Sequence, residues 1–161
     1  MTTTVDLSHT YCDWARRNLE HNGFGDQRRH SVLQEDVVSW LETPPRERYE
    51  LIFLDPPTMS RSKRMTGDFD LQRDHVKLIR AALVRLAPDG LLIFSNNFRK
   101  FKLDQAGLAD LEVNDVTPAT IPKDFVRNPR IHQCFEIRVS RGAARAPKPT
   151  LSLRKPAPTD Q

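Results

Sequence analysis

The sequence lacks long apolar runs, has few cysteines and shows no secretory signal, and each absence excludes a class of protein. No window approaches the ~18 consecutive apolar residues typical of a membrane-spanning helix. Met1 leads into a threonine run and not into a basic start followed by an apolar stretch, so no signal peptide is expected. The two cysteines, Cys12 and Cys134, form neither a disulfide framework nor a metal-ligand spacing. We therefore expect a soluble cytoplasmic protein with reduced thiols.

The net charge of the chain is concentrated at its C-terminal end. Residues 140–161 hold five cationic residues and one acidic residue, and this difference equals the net charge of +4 of the whole chain. Residues 1–139 are therefore neutral, and the isoelectric point near 9.3 describes a tail. Prolines accompany these charges, so we expect a disordered tail at 140–161 after a single domain at 1–139. The tail is either a solvated terminus or a weak electrostatic contact to RNA phosphates.

Strand-like and helix-like segments alternate up to about residue 139. The predicted strands lie at 2–6, 29–34, 49–54, 91–95, 112–117 and 131–139. The predicted helices lie after Ser8 up to Gly23, at 37–41, and at 69–86, where Pro88-Asp89-Gly90 closes the helix, with a further candidate at 103–109. This alternation indicates an α/β fold with a mainly parallel sheet and helices on both faces.

Apolar spacing assigns faces to two helices and one strand. The first helix places Tyr11, Trp14, Ala15 and Leu19 on one face. The longest helix buries Leu71, His75, Leu78, Ile79, Ala82 and Leu86. The strand at 49–54 is apolar without alternation, which is typical of a parallel strand covered on both faces.

Acidic residues follow the first two predicted strands, on the side where ligands bind in such sheets. Asp6 can accept hydrogen bonds from both ribose hydroxyls of a nucleoside, or it can stabilise the start of the Ser8 helix. Asp36 can accept from an adenine amino group, or it can cap the following helix. The two interpretations stay open for each residue.

Asp55-Pro56-Pro57-Thr58 is the most specific motif. Two consecutive prolines fix the backbone after a buried strand and remove two hydrogen-bond donors. The residue before them is held in an extended conformation. The motif therefore predicts a rigid rim that directs the Asp55 side chain and nearby carbonyls into the ligand crevice.

Two basic segments follow the third and fourth major strands. Arg61, Lys63 and Arg64 are either contacts to RNA phosphates or solvated surface charge. The segment after the fourth strand combines amides, aromatics and cations, namely Asn96, Asn97, Phe98, Arg99, Lys100, Phe101 and Lys102. It can hold a flipped base by stacking and amide hydrogen bonds, or its phenylalanines can simply anchor the loop. His75, Met59, Met65 and Trp40 are interpreted as packing residues.

Together these stretches resemble the bacterial bifunctional ribosomal RNA large subunit methyltransferase K/L family, in its C-terminal, K-type domain. The resemblance covers about residues 3–139. It rests on Val5-Asp6-Leu7-Ser8, Trp14-Ala15, Asn18-Leu19, Phe53-Leu54-Asp55-Pro56-Pro57-Thr58, Ser62-Lys63-Arg64-Met65, Gln72-Arg73-Asp74-His75, Phe94-Ser95-Asn96-Asn97, Asp124-Phe125, Arg127-Asn128 and Ile131-His132.

The resemblance implies a Rossmann-like class I fold, S-adenosylmethionine as methyl donor and N7 methylation of a guanine in 23S ribosomal RNA. It implies cofactor binding by Asp6, Leu7, Asp36, Val37 and Asp55. Asp55, Pro56 and Pro57 would border the methyl-transfer site. The implied RNA-binding residues are Arg61, Lys63, Arg64, Asn96, Asn97, Arg99 and Lys100.

One departure from the family concerns the front of the domain. The family begins this domain with a strand, a glycine-rich turn and a helix, whereas this chain begins at the second strand. We therefore expect an N-terminally truncated domain whose central strand comes from a preceding segment or a partner. A catalytically inactive remnant with residual RNA binding is the alternative. A nicotinamide-dependent dehydrogenase also places an acid after its second strand, but it gives no reason for Asp55-Pro56-Pro57.

Overall fold

The computed structural model describes residues 1–60 and 68–140, and the predictions for Arg61, Lys63, Arg64 and the tail beyond residue 140 lie outside them. The strands are β1 Thr2–Asp6, β2 His30–Gln34, β3 Tyr49–Leu54, β4 Met59–Ser60, β5 Phe69–Asp70, β6 Leu86–Asn96, β7 Leu111–Asp115 and β8 Gln133–Val139. The helices are α1 His9–His21, α2 Val37–Glu42, α3 Leu71–Val84 and α4 Thr117–Thr120, with a 3-10 turn at Lys123–Phe125. None of the helices in the described parts is long and apolar enough to cross a bilayer.

The main strands form two groups. β1 pairs with β2 in parallel. The second group has the order β3-β6-β8-β7, in which β3 and β6 are parallel and β8 runs antiparallel to both β6 and β7. β8 alone therefore reverses direction in that group, as expected for a mainly parallel sheet with an antiparallel C-terminal strand.

β1 and β3 face each other across a cleft. No backbone ladder joins them, and no strand of the described chain lies between them. The Tyr49 hydroxyl crosses the cleft and donates to Thr3 Oγ1 at 3.0 Å. A strand placed there would lie about 4.8 Å from each neighbour and could pair with both free edges.

The core lies between α2, α3 and one face of the β3-β6-β8-β7 group. Phe94 and Ile137 are fully buried at its centre, and Phe101 and Leu108 close it from the segment after β6. The predicted buried face of α3 is confirmed, since Leu71, His75, Leu78, Ile79 and Ala82 are all buried. This packing fixes where β3 and β6 end.

The bounds of the longest helix differ from the prediction of 69–86. Asp70 is its N-cap and accepts from the Arg73 N–H at 3.0 Å, so the backbone before Leu71 is extended, and residues 69–70 pair with β4. The helix ends at Val84, because Leu86 already pairs with Tyr49 in the sheet. The 88–90 turn that was predicted to close the helix lies within the span of β6, where Asp89 has a positive φ of 61°.

The helix predicted at 103–109 is wrong, because this segment forms successive turns. Some of its polar groups bond within the segment, and others bond to α3. The Asp104 carboxylate accepts from the Gly107 N–H at 2.9 Å, and Arg80 donates to the Gly107 carbonyl at 2.6 Å. These partners replace the bonds that a helix would supply within itself.

The outer face of β3 also differs from the prediction of a strand covered on both faces. Leu51 and Phe53 expose 57% and 65% of their surface. Tyr11 and Trp14 on α1, predicted to share an apolar face, are exposed as well. Apolar side chains are thus uncovered on both sides of the gap between β1 and β3.

Candidate cofactor and methyl-transfer site

A cleft of about 950 Å³ lies between β1 and β3 and extends beyond the carboxyl ends of the strands. Eight residues predicted to form the site line it, namely Asp6, Leu7, Asp36, Val37, Asp55, Pro56, Pro57 and Asn97. Three different strands, β1, β2 and β3, deliver the three carboxylates. The topology therefore brings together carboxylates that are up to about fifty positions apart in the sequence, as expected at the switch point of a parallel sheet.

Asp6 stands where β1 gives way to α1. Its Oδ1 accepts from the Ser8 N–H at 2.7 Å, while Ser8 itself caps α1 and accepts from the Tyr11 N–H at 3.3 Å. Oδ2 of Asp6 has no hydrogen-bond donor in residues 1–60 or 68–140. One oxygen therefore fixes the side chain locally, and the other remains able to accept from a ligand hydroxyl.

Asp36 occupies the N-cap of α2. Its Oδ1 accepts from the Val38 N–H at 3.3 Å, and its Oδ2 accepts from the Ser39 hydroxyl at 2.9 Å. The helix-capping role weighed from the sequence is thus present. The residue still lines the cleft beside Val37, so a ligand there would meet a carboxylate that is already held in place.

Asp55 is exposed at the end of β3, and Pro56 behind it is buried. The rim continues into Thr58, whose carbonyl accepts from the Leu71 N–H at 3.0 Å and so is tied to the first turn of α3. No described residue donates a hydrogen bond to the Asp55 carboxylate. Asp55 lines the cleft with Pro56 and Pro57, so its carboxylate remains able to accept from a ligand there.

The charged groups of the cleft are mainly acidic. Among the residues that the structure describes, Asp6, Asp36 and Asp55 line it together with one guanidinium, that of Arg85. Arg85 is already engaged, because it lies 3.8 Å above the Trp40 ring and donates to the Trp40 and Thr43 carbonyls. Three carboxylates against one guanidinium give this lining a net negative charge, which favours a cationic ligand.

The segment after β6 is anchored by its aromatic residues. Phe101 is 5% exposed and packs against Phe94, Phe135 and His75, while Phe98 packs on the edge of the core. The anchoring interpretation therefore holds for Phe101, whose ring is not free to stack on a base, whereas Phe98 is only partly buried and both interpretations stay open for it. Asn97 is exposed and reaches the cleft.

The Asn96 side chain is buried and does not line the cleft. It is 1% exposed, its Oδ1 accepts from the Phe98 N–H at 3.1 Å, and its Nδ2 has no partner within residues 1–60 and 68–140. Burial leaves it no surface for a direct contact to RNA, so the structure assigns it a role in shaping the loop. Arg99 and Lys100 are exposed on that loop, outside the cleft lining.

Cys134 lies on β8 near Asp55, on the side of the sheet where Leu51 and Phe53 of β3 are exposed. Burial raises the pKa of its thiol, and the carboxylates of Glu136, Asp115 and Asp55 raise it further, whereas a hydrogen bond with Thr120 opposes the shift. The sulfur therefore stays a neutral thiol at neutral pH. It is a packing residue of the site and not an activated nucleophile.

Fold and site together define a Rossmann-like methyltransferase architecture. A solved protein assigned as a methyltransferase and crystallised with SAH has a TM-score of 0.69 and 26% identity, over 86% of this chain and 39% of that chain. A protein from Streptococcus mutans assigned as an S-adenosylmethionine-dependent methyltransferase has a TM-score of 0.65 and 24% identity, over 86% of this chain and 38% of that chain. The predicted fold class is confirmed.

Sequence comparison confirms the resemblance to a particular group of these enzymes. The chain is 58% identical over 138 residues to the ribosomal RNA large subunit methyltransferase K/L of Methylococcus capsulatus and 56% identical to that of Pseudomonas aeruginosa. The alignments cover 84% and 86% of this chain but 19% of each relative, so the chain spans about one fifth of the length of the proteins it matches. No family model matches the chain.

The sequence did not predict two residues that hold the segment after β6 in place. Gln72 and His75, at the start of α3, bind the main chain of the 102–104 segment. The sequence signal was the Gln72-Arg73-Asp74-His75 block itself, which the resemblance singled out. Its spacing alone shows a helix start and a buried histidine, and the partners lie thirty residues away.

Proposed function

We propose that this chain forms the donor-binding and methyl-transfer part of an S-adenosylmethionine-dependent methyltransferase that acts on ribosomal RNA. The finer proposal is N7 methylation of a guanine in 23S ribosomal RNA. The observation that carries it is the convergence of Asp6, Asp36 and the Asp55-Pro56-Pro57 rim on one cleft at the carboxyl ends of three strands. The names of the relatives, which are 53–58% identical, supply the substrate class.

The residues of the cleft fit the proposed cofactor by their chemistry. The donor-free Oδ2 of Asp6 can accept from a ribose hydroxyl, and Asp36 with Val37 can border an adenine ring. The three carboxylates also suit a ligand with a positive sulfonium, which makes the methyl group electrophilic when S-adenosylmethionine is bound. A ligand without the sulfonium charge would lose that part of the attraction.

The proposed acceptor requires no general base. Guanine N7 is an in-ring acceptor with a free lone pair, so no proton has to leave before methylation. Residues of the site then need only align the reacting groups and exclude water. Many enzymes that methylate exocyclic amines have an aromatic residue at the fourth position of such a motif, where this chain has Thr58.

RNA contact is assigned to the basic residues that flank the rim. We propose that Asn97, Arg99 and Lys100 approach RNA beside the cleft, since all three are exposed. Arg61, Lys63 and Arg64 follow the rim in sequence and complete the proposed contact. Phosphates held by such cations position the RNA but carry no sequence information.

A further βα segment is needed to complete the proposed site. No strand of the described residues pairs with the facing edges of β1 and β3, and Leu51 and Phe53 are exposed beside them. A strand between the two edges, followed by a glycine turn and a helix, would satisfy these groups and supply backbone donors for the methionine end of the cofactor. We propose that a preceding segment or a partner provides it.

A chimera tests the proposal. The segment that precedes the matched region in the Methylococcus capsulatus relative is fused ahead of Thr2, and transfer of labelled methyl from S-adenosylmethionine to 23S ribosomal RNA is measured. Borohydride reduction followed by aniline cleaves RNA at N7-methylguanine, so scission identifies the methylated atom. Asp55→Asn should abolish transfer, whereas Glu50→Gln, which removes one charge from the same strand, should not.

Three outcomes distinguish the alternatives. Methyl transfer without scission would refute N7 and keep the methyltransferase. RNA binding without either S-adenosylhomocysteine binding or methyl transfer would support the inactive remnant. Full activity of Asp55→Asn would remove the rim from the reaction.

A further inference from the structure

The block Gln72-Arg73-Asp74-His75 lies at the start of α3, and two of its side chains form hydrogen bonds to another segment of the chain. Gln72 and His75 both bind the main chain of residues 102–104. That segment begins two residues after Lys100, which with Arg99 is one of the cations proposed to contact RNA. Arg73 and Asp74 pair with each other, and Asp74 also accepts from the N–H of the N-cap Asp70, so they do not take part.

His75 acts through a single tautomer. The ring is 1% exposed, and its Nδ1 lies 3.1 Å and 3.0 Å from the Leu71 and Gln72 carbonyls, so Nδ1 carries the proton. Nε2 is then the acceptor for the Asp104 N–H at 3.0 Å. The Phe101 and His75 rings pack in an edge-to-face arrangement with their centroids 4.9 Å apart, which adds packing to the hydrogen bond.

Gln72 holds the loop as a neighbouring strand would. Its Oε1 accepts from the Lys102 N–H at 2.9 Å, and its Nε2 donates to the Lys102 carbonyl at 2.8 Å. One side-chain amide thus satisfies both backbone groups of one residue. Gln133 adds a third tie, from its Nε2 to the Phe101 carbonyl at 3.2 Å.

The result is a short span fixed at both ends. On the strand side, Asn96 Oδ1 accepts from the Phe98 N–H, and the Phe101 N–H donates to the Phe98 carbonyl at 2.9 Å. Arg99 and Lys100 lie at the tip of this span, exposed, with no partner among the described residues. The backbone that carries these two cations is thus held by hydrogen bonds on both sides.

We propose that Gln72 and His75 are positioning residues for RNA binding, which hold the 97–104 loop so that Arg99 and Lys100 meet RNA phosphates beside the methyl-transfer rim. This inference rests on the proposed function. Releasing the backbone of even one residue returns entropy equivalent to a change of about 5- to 30-fold in an equilibrium. A loosened loop would have to regain that order on binding.

The test measures RNA binding of the chimera over a range of salt concentrations. Gln72→Leu and His75→Phe remove the two ties, and Arg99→Gln with Lys100→Gln removes the charges directly. Arg80→Gln is the matched control, because its three hydrogen bonds hold Gly107 and Asp110, farther along the same segment. Affinity for S-adenosylhomocysteine is measured alongside.

We expect Gln72→Leu and His75→Phe each to weaken RNA binding about tenfold and to lower the log–log salt slope by about one to two. Arg80→Gln should leave both unchanged, and the affinity for S-adenosylhomocysteine should not move in any variant. Adding Arg99→Gln and Lys100→Gln to His75→Phe should cause little further loss, because the same contacts are already gone.

Two results separate this inference from the function on which it rests. If charge removal lowers the slope but Gln72→Leu and His75→Phe do not, the positioning role is overturned and the RNA contact stands. If charge removal itself leaves the slope unchanged, the proposed contact fails and the inference fails with it. Gln72 is exposed, so its variant decides the matter even if His75→Phe does not fold.

Discussion

Phe53 offers the sharpest test of whether a further segment covers the outer face of the sheet. The side chain exposes 65% of its surface, which is about 130 Å² if a phenylalanine buries ~200 Å² in full. At ~25 cal/mol per Å², covering it contributes about 3 kcal/mol. Phe53→Ala should therefore cost about 2–3 kcal/mol in the chimera that supplies the covering segment. In the 161-residue chain alone the same change should cost close to nothing, because there is little burial to lose.

Phe94 is the matched control for this prediction. It is 0% exposed in the core formed by residues of this chain, so Phe94→Ala should cost about 3–5 kcal/mol in either context. Urea unfolding gives the free energies for both proteins, and binding of a hydrophobic dye reports the exposed patch on the shorter one. Phe53→Ala should reduce dye binding by the chain alone and leave that of the chimera unchanged. An equal cost of Phe53→Ala in both contexts would refute the covered face.

Three further predictions concern the site and the start of α3. Asp6→Asn in the chimera should weaken S-adenosylhomocysteine binding about tenfold, since a hydrogen bond to a charged group contributes ~1.5–3 kcal/mol. Titration calorimetry should show no such loss for the control variant Glu20→Gln. An unchanged affinity for Asp6→Asn would contradict the ribose contact. The 161-residue chain alone should bind S-adenosylhomocysteine weakly or not at all, and a folded monomer that binds at micromolar concentration would disprove the need for a further strand. A hydrogen bond from Arg73 lowers the pKa of the Asp74 carboxyl, so this group stabilises the fold above its unfolded pKa of ~3.9 and loses that effect as the pH falls through the lowered value. Asp74→Asn should flatten the loss of stability below about pH 4, as urea midpoints would show, and an unaltered pH profile would argue against it.

The first and third predicted strands were the most predictable part of the fold, whereas the strand predicted at 91–95 begins at Leu86 and those predicted at 112–117 and 131–139 span Leu111–Asp115 and Gln133–Val139. The bounds of β1 and β3 agree with the sequence prediction residue for residue, and Ser8 caps α1 as expected. These elements carry local signals, such as a β-branched run, a continuous apolar run and a capping residue. The carboxylates that follow them could be placed at one edge because parallel strands end on the same side.

The errors arose where a distant partner decides the local structure. The 103–109 segment has helical spacing, yet its backbone groups bind Arg80 and His75 on α3. The start of the longest helix moved to Leu71 because residues 69–70 pair with β4. No property of the residues within either segment encodes these partners.

By itself, the sequence determined which residue types stand at the ends of the strands, because hydrophobic runs and prolines act on the backbone beside them. It therefore yielded Asp6, Asp36 and the Asp55-Pro56-Pro57 rim, and the likeness to K/L methyltransferases. Only the tertiary structure decided that these residues line one cleft, that Phe101 is an anchor, and that Asn96 is buried. It also revealed that Gln72 and His75 hold a loop about thirty residues farther along. Burial and long-range hydrogen bonds depend on which surfaces meet, and that is a property of the assembled sheet and helices rather than of any one segment.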